Sequence, residues 1–229
     1  MSYVASNRGY LTAGEINEKL ASVYKLMAVS VLISAGFAYL VLSTQSLREL
    51  MHGGLMWVVL IAQLALVFGM SFLMNKLGLG ALRAMLYAVS ALFGLSLGPI
   101  VAAYSSASVV QAFVAASVVF GAAAFYGYAS KRSLMGMGSF LMVGLIGIIV
   151  CGIVNVFLQS PGVQFVLDAA TVLVFTGLAA YDSQRLRDSL LNASGEEADK
   201  MVVLGALSMY LNMLNLFTAL LRLTGSSDD

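Results

Sequence analysis

The chain has 229 residues, 60% of them hydrophobic and 10% charged, with a formal net charge of +1, one cysteine and a mean hydropathy of +0.93. Soluble domains carry roughly 25% charged residues, so an ordinary soluble domain is excluded. Disorder, a disulfide framework and the basic footprint of a nucleic-acid binder go with it.

Crossing roughly 30 Å of hydrocarbon takes about 20 mostly apolar residues, and seven runs of that kind lie between the charges. They fall at about residues 26–43, 55–74, 84–104, 109–129, 136–158, 163–182 and 201–221. The runs are continuous rather than alternating, which argues for helices over a β-barrel. The expected fold is therefore an all-α membrane protein with seven transmembrane helices. Its parts are an N-terminal segment (1–25), a seven-span domain (26–222) and a short tail (223–229). The connections read as short, except for a polar stretch from about Arg185 to Lys200. No cleavable signal peptide is evident, and the first span reads as an uncleaved anchor.

Basic residues write the orientation. Arg8, Lys19, Lys25, Lys76, Arg83, Lys131, Arg132, Arg185, Arg187 and Lys200 fall on one side of a seven-span chain, and only Arg48 and Arg222 on the other. This predicts a cytoplasmic N-terminus and an external C-terminus.

Ionisable groups inside spans are costly and are functional candidates by default. Three qualify: Asp168, Asp182 and the interfacial Lys76. Asp168 lies near the outer end of the sixth span and is read as reaching the headgroups. Asp182 is different, because Leu186, Leu190 and Leu191 let its helix continue past the arginines that follow. If that helix ends near Leu191, Asp182 lies nine residues inside, or roughly 13 Å along the axis. In the seventh span Gly205, Ser208, Asn212, Asn215, Ala219 and Arg222 recur at helical spacing as one small, polar stripe. Asn212 is eleven residues from Met201, which brings it to the depth of Asp182. Asn215, Gln63, Gln111 and Asn155 read as amides that tie helices together, and Ser90, Gly94 and Gly98 as sites of close packing. Pro99 is expected to interrupt its helix.

Catalysis finds no support. Gly94-Leu95-Ser96-Leu97-Gly98 fits the bare G-x-S-x-G pattern, but the only histidine, His52, lies in the first external loop. A paired-carboxylate protease would need an acid where Asn212 stands. One histidine and one cysteine supply no zinc or haem ligand set. The chain is read as no enzyme and as holding no cofactor.

Two blocks, TGLAAYDSQRL (176–186) and LSMYLNMLNLFTALLR (207–222), resemble the Bax-inhibitor family of membrane proteins, also called the transmembrane Bax inhibitor motif family. GPIV (98–101), the Lys131-Arg132 loop with SFL (139–141) and NVF (155–157) extend the likeness. The last-span pattern is matched at Ser208, Tyr210, Asn215 and Phe217, and the short loops resemble bacterial inner-membrane members. The resemblance implies six helices in two layers around a central C-terminal helix. It also implies a pH-influenced calcium or cation leak, in which two aspartates share a proton and a basic residue at the end of the second span latches them.

Asp182 matches the first aspartate, Asn212 stands where many members have the second, and Lys76 is the latch candidate. Ser208 and Asn215 complete the expected gating and ion pathway, with calcium and protons as the permeant ions. Two touching carboxylates cannot both ionise cheaply, whereas Asp182 with Asn212 is a one-proton site. Calcium prefers six to eight oxygens, so Asp182 as a metal ligand would be weak, as permeation requires. The alternative function is a non-transporting modulator or partner of a membrane protease such as FtsH, as for other bacterial members that lack the second acid. The family setting adds a stress response.

Overall fold

The computed structural model describes residues 11–226; Arg8, with the rest of residues 1–10, and residues 227–229 of the expected tail lie outside them. The described residues form eight helices: α1 (Ala13–Ser43), α2 (Gln45–His52), α3 (Gly54–Leu73), α4 (Leu79–Val101), α5 (Ser106–Ala129), α6 (Met135–Leu158), α7 (Pro161–Leu190) and α8 (Gly195–Thr224). All but α2 are long and apolar enough to cross a membrane.

Local chemistry sets several ends. Thr12 and Glu15 form a reciprocal capping box at the start of α1, with the Thr12 amide donating to Glu15 Oε2 at 2.7 Å. Ser105 caps α5, and Ser160 caps α7 with Pro161 at its first position, where the missing N–H costs nothing. Pro99 does not interrupt α4 as expected. It falls in the last turn, and α4 ends two residues later at Val101, so few of its hydrogen bonds are at stake.

Three helices outrun the hydrophobic runs that announced them. Residues 13–25, expected as part of a separate N-terminal segment, are the first turns of α1, held by Ile16 and Leu20 against Leu190, Ala193 and Ala198. The expected polar loop after Arg185 shrinks to the residues between Leu190 and Gly195, because α7 and α8 both continue past the apolar core. The extra helix α2 seats Met51 beside Val41 and Val59, an apolar contact that folds the first connection back on the bundle.

The long helices form two rows. In one, α4 packs between α1 and α3; in the other, α7 packs between α5 and α6. Between the rows runs α8, touching α1, α3, α4, α5 and α7. Of the most apolar stretch of α8, 61% is buried, against 11% for α6, which identifies the central and the peripheral helix. This is the expected arrangement of six helices in two layers around the C-terminal one. In each row the third spanning helix takes the middle position, and α1 and α5 start from opposite ends. The rows are therefore related as inverted repeats.

Helices in a bilayer gain little from the hydrophobic effect on one another and rely on close packing. Glycines supply it here. A Cβ on Gly127 would meet the Ala180 carbonyl oxygen at 1.9 Å, so α5 crosses α7 backbone to backbone. Gly94 faces Ser34 and Gly98 faces Val41 in the same manner, bringing α4 onto α1.

Candidate functional site

The α7–α8 pair carries Asp182 and its partners Ser208 and Asn212. Asp182 Oδ2 accepts from Ser208 Oγ at 2.5 Å and from Asn212 Nδ2 at 2.9 Å. Ser208 and Asn212 lie one turn apart on the same face of α8, which is why both reach one oxygen. No cationic side chain pairs with Asp182 among the described residues. The carboxylate is half-buried and held by a neutral hydroxyl and a neutral amide from successive turns of α8.

Just beyond it, the helix is fixed to its surroundings. Gln184, buried, accepts from the Leu134 amide at 2.6 Å and donates to the Arg132 carbonyl at 2.9 Å, which ties the α5–α6 turn to α7. Ser183 Oγ lies 3.3 Å from Tyr24 Oη of α1. Arg187 donates to the Tyr128 carbonyl and pairs with Asp188 at 2.9 Å. Asp182 is thus carried on a helix whose rotation is pinned from three directions.

Of the other expected site residues, two sit elsewhere. Lys76 is exposed on the turn between α3 and α4, and its side chain makes no hydrogen bond or ion pair among the described residues. The structure does not bring it to Asp182, because α3 packs on α4 and α8 rather than in the row of α7. Asn215 donates to the Leu211 carbonyl of its own helix at 2.8 Å. It lines, with Gln63, Ser96 and Thr218, a cavity of about 300 Å³ between α3, α4 and α8. Gln63 does tie helices, since Ser96 Oγ donates to it at 3.4 Å. Gln111 does not; it is exposed near the start of α5.

Asp168 departs most from expectation. It does not reach toward headgroups: its side chain is 4% exposed and pairs with Arg222 of α8 at 3.3 Å. Gln164 donates to both of its oxygens at 3.1 Å and accepts from Asn155 of α6 at 3.2 Å. The pairing was readable. From Asp182 to Asp168 is fourteen residues back along α7, and from Ser208 to Arg222 fourteen forward along α8, so antiparallel helices in register at one must meet at the other. Asp168 taken alone, without its facing helix, carries no sign of this partner.

The opposite face of α8 carries a third link. Tyr210 is wholly buried, its hydroxyl 2.6 Å from Ser34 Oγ, which donates to the Ser90 carbonyl at 2.7 Å. Phe93 packs edge-on against the Tyr210 ring at 5.9 Å. No group of three or more metal-ligating side chains occurs among the described residues, so a cation at Asp182 would rely on this one carboxylate and on neutral oxygens.

These features define a multi-pass helical membrane protein with an interior carboxylate, Asp182, bonded to its central helix by neutral donors. A family model described as "Inhibitor of apoptosis-promoting Bax1" matches residues 16–229, and the chain belongs to that family, the Bax-inhibitor family. It is similar to inner membrane protein YbhL of Escherichia coli, 37% identical over 217 residues covering 90% of this chain and 91% of that protein. An uncharacterized protein of Caulobacter vibrioides is 36% identical over 220 residues, covering 91% of this chain and 88% of its own. One of Borreliella burgdorferi is 36% identical over 213 residues, covering 91% and 92%.

Proposed function

We propose that the protein is a cation leak of the inner membrane, with calcium as a permeant ion and Asp182 as the charge that ions and protons meet. The supporting observation is the bond set at Asp182. One carboxylate with no cationic partner lies inside the span, held by Ser208 and Asn212 of the central helix. Neutral donors leave the site its negative charge, which attracts a cation. A single carboxylate holds it weakly enough to release it. The Asn215 cavity on the far half of α8 is mainly apolar, with Gln63, Ser96, Asn215 and Thr218 as its polar side chains. In this reading the basic end faces the cytoplasm and the C-terminus lies outside.

The test is calcium flux into proteoliposomes across about pH 6–8, where such leaks are expected to respond to protons. Asp182→Asn should conduct less than the wild type. Equal flux at every pH would overturn the reading.

A second reading, a non-transporting modulator of a membrane protease such as FtsH, draws on the same bonds, since they also fasten α7 to α8 and close the gap between them. Under it, Asp182→Asn leaves flux unchanged, and affinity purification from native membranes retains the protease.

A further inference from the structure

At the basic end, α1, α4 and α8 enclose a cleft of about 270 Å³ lined by Lys19, Ser22, Lys25, Arg83 and Asp199, with Leu26 and Val202 as its floor. The charges do not cancel. Lys19 is taken by Asp199 at 2.5 Å, while Lys25 and Arg83 have no carboxylate at ion-pair distance among the described residues. The cleft thus presents two uncommitted cations, the Ser22 hydroxyl being donated to the Glu18 carbonyl at 2.9 Å. Arg83 also stands in the second turn of α4, near the positive end of that helix.

Depth identifies what meets them. Lys25 is eighteen residues from the end of α1 at Ser43, and Arg83 is eighteen from the end of α4 at Val101. Eighteen residues of helix span about 27 Å, close to the hydrocarbon thickness, so both cations sit at one boundary of the bilayer. Beyond them α1 turns an apolar face outward, with Val29 41% and Leu32 71% exposed. A ligand with a negative head at the cleft and an apolar body along α1 satisfies both surfaces.

We infer that the cleft binds the phosphodiester headgroup of an anionic phospholipid, with its acyl chains against α1. The bidentate guanidinium of Arg83 and the ammonium of Lys25 suit a phosphate. A lipid held here bridges α1 and α4 beside the first turns of α8. This inference is independent of ion conduction.

Native mass spectrometry of the detergent-solubilised protein, titrated with phosphatidylglycerol, tests it. Phosphatidylcholine serves as the zwitterionic reference and glycerol phosphate as the free headgroup. The wild type should prefer phosphatidylglycerol, and the K25Q/R83Q double variant should bind it about 30-fold more weakly, the effect of two interfacial charges. K25R/R83K should keep binding, which guards against misfolding of the neutral variant. K131Q/R132Q, on the α5–α6 turn at the same end, should change affinity by less than about twofold, because those charges line no part of the cleft. Undiminished binding by K25Q/R83Q, an equal loss in K131Q/R132Q, or glycerol phosphate binding as tightly as the lipid would each overturn the proposal.

Discussion

Asp182 and Asp168 are two aspartates on one helix in opposite electrostatic settings. Asp182 has only neutral donors, so each carries more of the cost of keeping a carboxylate in the bilayer. Truncating one should destabilise the fold by about 0.6–2 kcal/mol, the range for interhelical hydrogen bonds in membranes. Thermal unfolding of Ser208→Ala and Asn212→Ala in detergent would show it, and no loss in either would mean that the bonds are incidental. Asp168 has a cation. Arg222→Ala would leave a buried carboxylate with Gln164 as its remaining side-chain partner, whereas Asp168→Asn removes the charge itself. The first should cost about 2–3 kcal/mol and the second about 1 kcal/mol or less. A double-mutant cycle checks the coupling, and strictly additive effects would contradict a functioning pair.

At the scale of elements, backbone proximity decides how α5 and α7 meet. Gly127→Ala would place a methyl group 1.9 Å from the Ala180 carbonyl oxygen, and Gly121, one helical face away, has open space for the same change. Gly127→Ala should lower stability by about 1–3 kcal/mol, while Gly121→Ala should be neutral or slightly stabilising. Comparing their unfolding midpoints tests the crossing. These contacts also show where the sequence was informative. Hydropathy marked all seven spanning helices, because each must be apolar for about 20 residues whatever it packs against. It marked their ends poorly at α1, α7 and α8, where polar turns continue the helix outside the bilayer and are stabilised by contacts such as Lys19 with Asp199, which no local pattern reveals. Depth counting brought Asp182 to Asn212, since antiparallel neighbours share a register. The latch role of Lys76 rests on the family resemblance alone, and its position depends on how α3 packs, a long-range fact that hydropathy does not encode.

The whole molecule is a sandwich of two inverted three-helix rows around α8, and three polar links fasten α8 to the rows. Asp182 and Asp168 bind it to the row of α7, about 21 Å apart along the axis, and Tyr210 binds it to α1 and α4. Orientation is a property of this scale too. In a Cys151→Ser background, Arg48→Cys should react with a membrane-impermeant maleimide in intact cells and Lys131→Cys only after lysis; the reverse would invert the topology.

In the cation path proposed above, Asp182 offers one carboxylate, partnered by the amide of Asn212. The most direct measurement is the pH profile of calcium flux in proteoliposomes for the wild type and Asn212→Asp. The wild type should follow a one-proton curve. Asn212→Asp, which sets two carboxylates at the 2.9 Å contact now made by an amide, should titrate in two coupled steps and respond over a wider pH range. Superimposable profiles would contradict the claim.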